Sequence, residues 1–186
     1  MRIITGTARG TKLMTLEGDN TRPTPERVKE AVFSMIQFDL EDANFLDLFA
    51  GSGQMGLEAL SRGAAKAHMI DRSPEAAAII RQNAEKTRLS DRASIMTSDA
   101  AEYIRSSKGR CKFDFVFLDP PYGSGLLHDS LAMLSDGKLL NDGAWIFAED
   151  EKNDPFAGDD DLAAKYEIVK ECGYGRVHIT VLKLKG

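Results

Sequence analysis

The run Phe117-Leu118-Asp119-Pro120-Pro121-Tyr122-Gly123 carries the most specific chemistry in this sequence. An amine on an aromatic ring is a weak nucleophile, because its lone pair is delocalised into the ring. A carboxylate and a nearby carbonyl that each accept one of its N–H groups draw the nitrogen towards tetrahedral geometry. Asp119 supplies the carboxylate and Pro120 the carbonyl. Two successive prolines lock the backbone and leave their carbonyls free of local hydrogen bonding. Tyr122 offers a flat ring on which a base can stack. Asp119, Pro120, Pro121 and Tyr122 together suit methylation of an exocyclic amine, by positioning and electrostatic complementarity rather than by a tuned base. A plain two-proline turn with a core tyrosine is the competing reading.

A second constellation precedes it. Asp47-Leu48-Phe49-Ala50-Gly51-Ser52-Gly53-Gln54-Met55-Gly56 places three glycines between an apolar strand and a helix. Glycines there let the backbone turn sharply and approach a ligand at a helix N-terminus. Three acids follow successive strands. Asp47 suits the ammonium of an amino-acid moiety, Asp71 a pair of ribose hydroxyls, and Asp99 an adenine amine. Three acids and no phosphate-binding lysine favour S-adenosylmethionine, which carries a ribose and a sulfonium but no phosphate. Phe49, Gly51, Ser52, Gly53 and Gly56 in the turn, with Arg72 and Ala100 beside the acids, complete the expected cofactor set. Solvated helix caps are the bland alternative for Asp71 and Asp99.

The elements that position these residues follow from periodicity. Strands are expected over 45–49, 67–70, 94–97, 113–118 and 144–148, with helices over 56–62, 74–89, 100–106 and 126–134. Such alternation indicates a parallel sheet covered on both faces. Runs 166–172 and 176–184, joined by Gly173-Tyr174-Gly175, read as a terminal antiparallel hairpin. The expected fold is α/β and Rossmann-like: a mostly parallel seven-stranded sheet of the class I methyltransferase kind, with a C-terminal hairpin. A hairpin over 3–16, and a helix opened by Thr24-Pro25, form a small N-terminal extension, residues 1–44, ahead of a catalytic part, residues 45–186.

Composition sets the outer bounds. At 186 residues, 42% of them hydrophobic and 28% charged, the chain has the size and balance of one folded domain. No apolar run approaches the ~18 residues of a membrane span. The first residues lack the apolar core of a signal peptide, and Cys111 and Cys172 have no metal-ligand spacing. The expectation is a cytoplasmic, monomeric protein with neither metal nor membrane partner. Net charge is −5, but the stretch 149–161 holds seven acids against Lys152 alone, and the rest of the chain is +1. Residues 1–16 carry Arg2, Arg9 and Lys12 with no acid. An RNA partner is therefore compatible with the charge, and the basic extension is its candidate handle. The acidic stretch receives no role. His68, His128 and His178 are too scattered for a metal site, and the methionines and Trp145 read as core.

Several of these segments resemble one family. Met1-Arg2-Ile3-Ile4-Thr5-Gly6 with Arg9-Gly10, Thr21-Arg22-Pro23-Thr24, the helix over 27–36, the run from Asp47 to Gly56, and Asp119-Pro120-Pro121-Tyr122 are similar to the bacterial 16S rRNA guanine-N2 methyltransferase D family. The resemblance implies transfer of a methyl group from S-adenosylmethionine to the exocyclic N2 of a guanine in small-subunit rRNA, guanine-966 in the family's terms, within an assembled or assembling 30S particle. It places Asp47, Gly51, Gly53, Asp71 and Asp99 at the cofactor and Asp119 to Tyr122 at the target amine. Arg2, Arg9, Lys12 and Arg22 are the candidate RNA contacts. Asp71 departs from the family, where glutamate is common, and is one methylene shorter. Adenine-N6 methylation, glutamine methylation and a catalytically silent RNA-binding module are the rival readings; size and the basic N-terminus weigh against a sequence-reading DNA enzyme.

Overall fold

In the computed structural model, which describes residues 1–16 and 24–186, the alternating runs become a mixed α/β fold. Its seven-stranded sheet is mostly parallel and ends in antiparallel strands. Two units divide the chain, Met1–Asp99 and Ala100–Gly186. The first holds α1 (Glu26–Met35), β1 (Asn44–Asp47), α2 (Gln54–Ser61), β2 (Lys66–Asp71), α3 (Pro74–Thr87) and β3 (Ala93–Thr97). Here β2 runs between β1 and β3 and parallel to both. The second holds α4 (Ala100–Ser107), β4 (Phe113–Leu118), α5 (Leu126–Leu134), β5 (Leu140–Asp150), α6 (Asp160–Ala163), β6 (Tyr166–Tyr174) and β7 (Val177–Leu184). There β4 and β5 are parallel, while β7 pairs antiparallel with both β5 and β6.

Local chemistry sets the boundaries. In α3 the Ser73 hydroxyl accepts from the Ala76 amide at 3.2 Å, Pro74 fills the first position, and Arg88 ends the helix in a left-handed conformation. Its buried residues Ala76, Ala77, Ile80, Asn83, Ala84 and Thr87 recur at helical spacing. By contrast, α1 is entered from Pro25 with no side-chain cap, and Thr24 is buried rather than capping. Met96 is 41% exposed because β3 is paired along one side only, so it is not core. Trp145 is also only half-buried, with the Lys183 ammonium 4.9 Å from its ring centre.

The acidic stretch is not a loose loop. Glu149 and Asp150 close β5, and Asp160–Ala163 forms α6, capped by the Asp159 carboxylate on the Leu162 amide. Between them the Asp150 carboxylate accepts the amides of Lys152, Asn153 (2.6 Å) and Asp154 (2.8 Å). Phe156 is buried and stacks on Tyr166 at 5.8 Å. His128 of α5 reaches Asp159 at 3.1 Å, pinning the stretch from another side.

The N-terminal hairpin is a minimal ribbon. One bridge, Arg2 to Lys12, is flanked by Ile3 N–H to the Thr11 carbonyl (3.0 Å) and Leu13 N–H to the Met1 carbonyl (3.1 Å). The ribbon lies on α2. Gly6 has φ +87, and a Cβ there would fall 1.8 Å from the Ser61 carbonyl oxygen, so only glycine fits. Glu58 of α2 receives the Ile4 and Thr5 amides at 2.8 and 3.0 Å. The same carboxylate meets Arg62 at 2.7 Å and Lys29 at 3.4 Å; Lys29 and Glu58 have no exposed surface. Lys29 also donates to the Arg2 carbonyl at 2.6 Å. One buried carboxylate thus answers two cations and two backbone amides. Replacing it takes the acceptor from two backbone amides and the Arg62 guanidinium and leaves the buried Lys29 charge with only the Arg2 carbonyl, and breaking a buried pair from one side typically costs about 3–5 kcal/mol. Glu58→Leu is expected to lower unfolding free energy by about 3–5 kcal/mol in urea titrations, with early proteolysis inside residues 1–16.

Candidate active site

The cofactor candidates of the first unit cluster where parallel strands end. Asp47 is the last residue of β1 and Asp71 the last of β2, while Asp99 follows β3 by two residues. Gly51 (φ +53) and Gly53 (φ +78) take conformations that strain any other residue, and Gly53 leads directly into α2. A Cβ at Gly56 would lie 2.4 Å from the Met69 side chain, so α2 packs on β2 only because position 56 is bare. Open space surrounds the place where a Cβ on Gly51 would point.

Hydrogen bonds tie this group together. The Asp71 carboxylate accepts the Gly51 amide on one oxygen and the Ser73 amide on the other, both at 2.9 Å. It therefore links the glycine turn to the start of α3, and each oxygen keeps a further lone pair for a hydroxyl. Asp47 is buried, and its Oδ2 accepts the Gly56 amide at 3.2 Å. Burial raises its pKa to about 7, and the nearby Asp71 charge adds to the rise while the Gly56 amide opposes it. Gln54 Oε1 is buried without a hydrogen-bond partner at the head of α2. Ser52 donates to the Met1 sulfur at 3.1 Å. Phe49 is half-buried, and Arg72 and Asp99 are exposed. Ala100, buried, opens α4 in the second unit.

These residues fit S-adenosylmethionine. A buried carboxylate and an unpaired amide oxygen face a shortage of donors, which an ammonium supplies. No lysine or arginine stands anywhere from Asp47 to Gly56, so the turn offers no side-chain cation to a phosphate.

The amine-directed residues lie in the second unit, at the end of β4. Asp119 is half-buried, Pro120 buried, Pro121 exposed and the Tyr122 side chain partly open. The Tyr122 hydroxyl donates to Glu149 Oε1 at 3.2 Å. Glu149, only 4% exposed at the end of β5, is a site residue that the sequence reading passed over as part of the acidic stretch. Its signal was the one used for the other acids, a carboxylate directly after an apolar strand. One expectation about the prolines is corrected. The Pro121 carbonyl is not free, since it accepts from the Ser124 amide (3.3 Å) and hydroxyl (2.6 Å) in a tight turn. The Pro120 carbonyl is the candidate acceptor of the two.

Among the proposed RNA contacts, Arg9 and Lys12 are exposed, whereas the Arg2 guanidinium forms a two-pronged ion pair with Glu26 at 3.2 and 3.3 Å. Arg22 lies outside the described residues. Among those described, no group of His, Cys, Asp and Glu could hold a metal ion, and no helix is long and apolar enough to cross a membrane.

Comparison with known proteins gives the site its context. A family model described as conserved hypothetical protein 95 matches residues 1–183. The ribosomal RNA small subunit methyltransferase D of Escherichia coli is 38% identical over 151 residues, covering 81% of this chain and 75% of that protein. The chain belongs to the methyltransferase D family. A solved Escherichia coli structure, the methyltransferase yhhF, superposes with a TM-score of 0.86 at 31% identity, over 100% of this chain and 98% of that one. The fold extends further, to an RNA methyltransferase from Salinibacter ruber in complex with S-adenosyl-L-homocysteine (TM-score 0.65, 16% identity, 86% and 92% covered). As a member of this family, the chain takes S-adenosylmethionine as its methyl donor.

The raised pKa of Asp47 gives a signed prediction. Between the ordinary carboxylate value of about 4 and its folded value of about 7, the native state holds a proton that the unfolded chain has released. Native stability therefore falls as pH rises through that window. Asp47→Asn removes the penalty, so its melting temperature relative to the parent is expected to climb between about pH 4 and pH 7. Donor binding runs the other way. Parent affinity, measured by calorimetry, should rise with pH up to about 7 by as much as about tenfold per unit, whereas the variant binds weakly and without that slope.

Proposed function

We propose that this chain methylates the exocyclic N2 of a guanine in small-subunit ribosomal RNA, guanine-966 in the 16S numbering, on an assembled or assembling 30S particle in the cytoplasm. Family membership already makes it an S-adenosylmethionine-dependent RNA methyltransferase of the ribosomal RNA class. The observation that carries transfer to a base amine is the end of β4: a half-buried carboxylate, a proline carbonyl, and a tyrosine ring held by its hydroxyl to a buried glutamate; the choice of guanine N2 follows the family resemblance.

When bound, S-adenosylmethionine supplies an electrophilic methyl group. The chain's own residues do the rest. Asp47 holds the donor's ammonium, Asp71 its ribose hydroxyls and Asp99 its adenine amine, with Phe49, Gly51, Ser52, Gly53, Gly56, Arg72 and Ala100 lining the seat. Asp119 and the Pro120 carbonyl each accept one N–H of the target amine, which localises the lone pair on nitrogen. Tyr122 stacks on the base, and the bond to Glu149 fixes the plane of its ring. After transfer the nitrogen is strongly acidic, so loss of its proton needs no perturbed base. Residues 1–44 act as the substrate-facing extension of the catalytic part, 45–186, with Arg9 and Lys12 meeting phosphates. Arg2 joins them when its pair with Glu26 opens, and the enzyme works as a monomer.

Asp119→Ala should keep donor binding near normal and reduce methyl transfer by about two to three orders of magnitude, as loss of one preorganised polar contact does. Calorimetry with S-adenosylhomocysteine and a tritiated-methyl assay read the two effects; unchanged turnover would remove Asp119 from the mechanism. Arg9→Gln with Lys12→Gln should weaken RNA binding and reduce the salt slope by about two ion equivalents. The target itself is decided by treating small subunits from a strain lacking the enzyme and mapping the product. N2-methylguanine is expected, and N6-methyladenine would overturn the assignment.

A further inference from the structure

Asn83 lies in the middle of α3 with no exposed surface, and no step described above uses it. A buried amide needs partners for both its ends. Asn83 Oδ1 accepts the Met14 amide at 2.8 Å, and Nδ2 donates to the Met14 carbonyl at 3.0 Å and the Ser52 carbonyl at 2.9 Å. Towards Met14 it behaves as a neighbouring strand would, pairing both backbone groups of one residue. Its second N–H reaches into the glycine turn. The amide has one tolerable orientation, since turning it over sets oxygen against two carbonyls and NH2 against an N–H. Ser52 is tied to the same N-terminal segment again, through the Met1 sulfur. Met14 directly follows the ribbon that carries Arg9 and Lys12.

We propose that Asn83 is a positioning residue that couples the seating of the methyl donor in the glycine turn to the seating of the N-terminal ribbon on RNA. A donor that fixes the Ser52 carbonyl fixes the amide bonded to it, and the amide fixes both polar groups of Met14. Such coupling is reciprocal: the donor tightens RNA binding by the factor by which RNA tightens donor binding. Both halves rest on the function proposed above, the RNA half on the ribbon as handle and the donor half on the glycine turn as the donor's seat.

The test is a binding cycle with S-adenosylhomocysteine and undermethylated small subunits. In the parent, saturating S-adenosylhomocysteine should tighten subunit binding about fivefold or more. Asn83→Asp keeps the acceptor for Met14 and loses both donations, and its coupling factor should fall to about one. A merely structural role lowers the melting temperature and leaves that factor alone. Because a change inside α3 can impair folding, Met14→Pro serves as a second variant: it deletes the amide facing Oδ1 and touches neither α3 nor the turn. It should weaken S-adenosylhomocysteine about fivefold although Met14 is remote in sequence from the turn. A parent factor of one, or a factor unchanged within about twofold in every folded variant, overturns the proposal. If the parent fails to bind small subunits at all, the RNA reading falls, and the effect of Met14→Pro on S-adenosylhomocysteine binding alone decides the role of Asn83.

Discussion

Helix α2 lies against β2 and α3 at a distance that no side chain at position 53 or 56 would allow, and most of the first unit depends on that approach. A Cβ at Gly53 would come 2.9 Å from Ile80, and one at Gly56 2.4 Å from Met69. Bringing the helix in places its first amides beside Asp47, which accepts from Gly56. Further along, the same helix presents Glu58 and Ser61 to the N-terminal ribbon, where Gly6 makes a second contact that excludes a side chain. Gly53 and Gly56, together with the distant Gly6, therefore serve one packing arrangement. Close packing in such an interior passes displacement from one end of the helix to the other.

Much of this was legible in the sequence, for physical reasons that differ from residue to residue. Strand β4 and helix α5 have the bounds that periodicity gives, because an apolar run closed by Asp-Pro-Pro and a helix opened after Gly-Ser-Gly have clear ends. Strand β5 is longer than its apolar centre, since its pairing with β7 carries it into Glu149 and Asp150. Charge density hid that continuation, and with it the carboxylate that holds Tyr122. Asn83 was hidden otherwise: it repeats in step with Ile80, Ala84 and Thr87, but an asparagine on a buried face draws notice only once its partners are known. Those partners, Met14 and Ser52, are brought together by tertiary packing, which no local pattern encodes.

The glycine turn also shows how function and stability diverge. An apolar residue or an amide in place of Asp47 would spare the fold the burial of a carboxylate whose pKa is driven to about 7. In the function proposed above, that charge answers the donor's ammonium. Asp71 differs, since two backbone amides already satisfy it and the fold gains from the residue even before a ligand arrives. Of the two acids, the first costs the protein stability and the second contributes to it.

The anchoring of the acidic stretch has a consequence for encounter with a polyanion. Three amides on Asp150, the Phe156–Tyr166 stack and the His128–Asp159 contact hold the carboxylates of this region in a fixed array. A mobile tail of like charge would swing aside as phosphates drew near, but a fixed one cannot. Within roughly a Debye length, about 8 Å at physiological salt, it repels them.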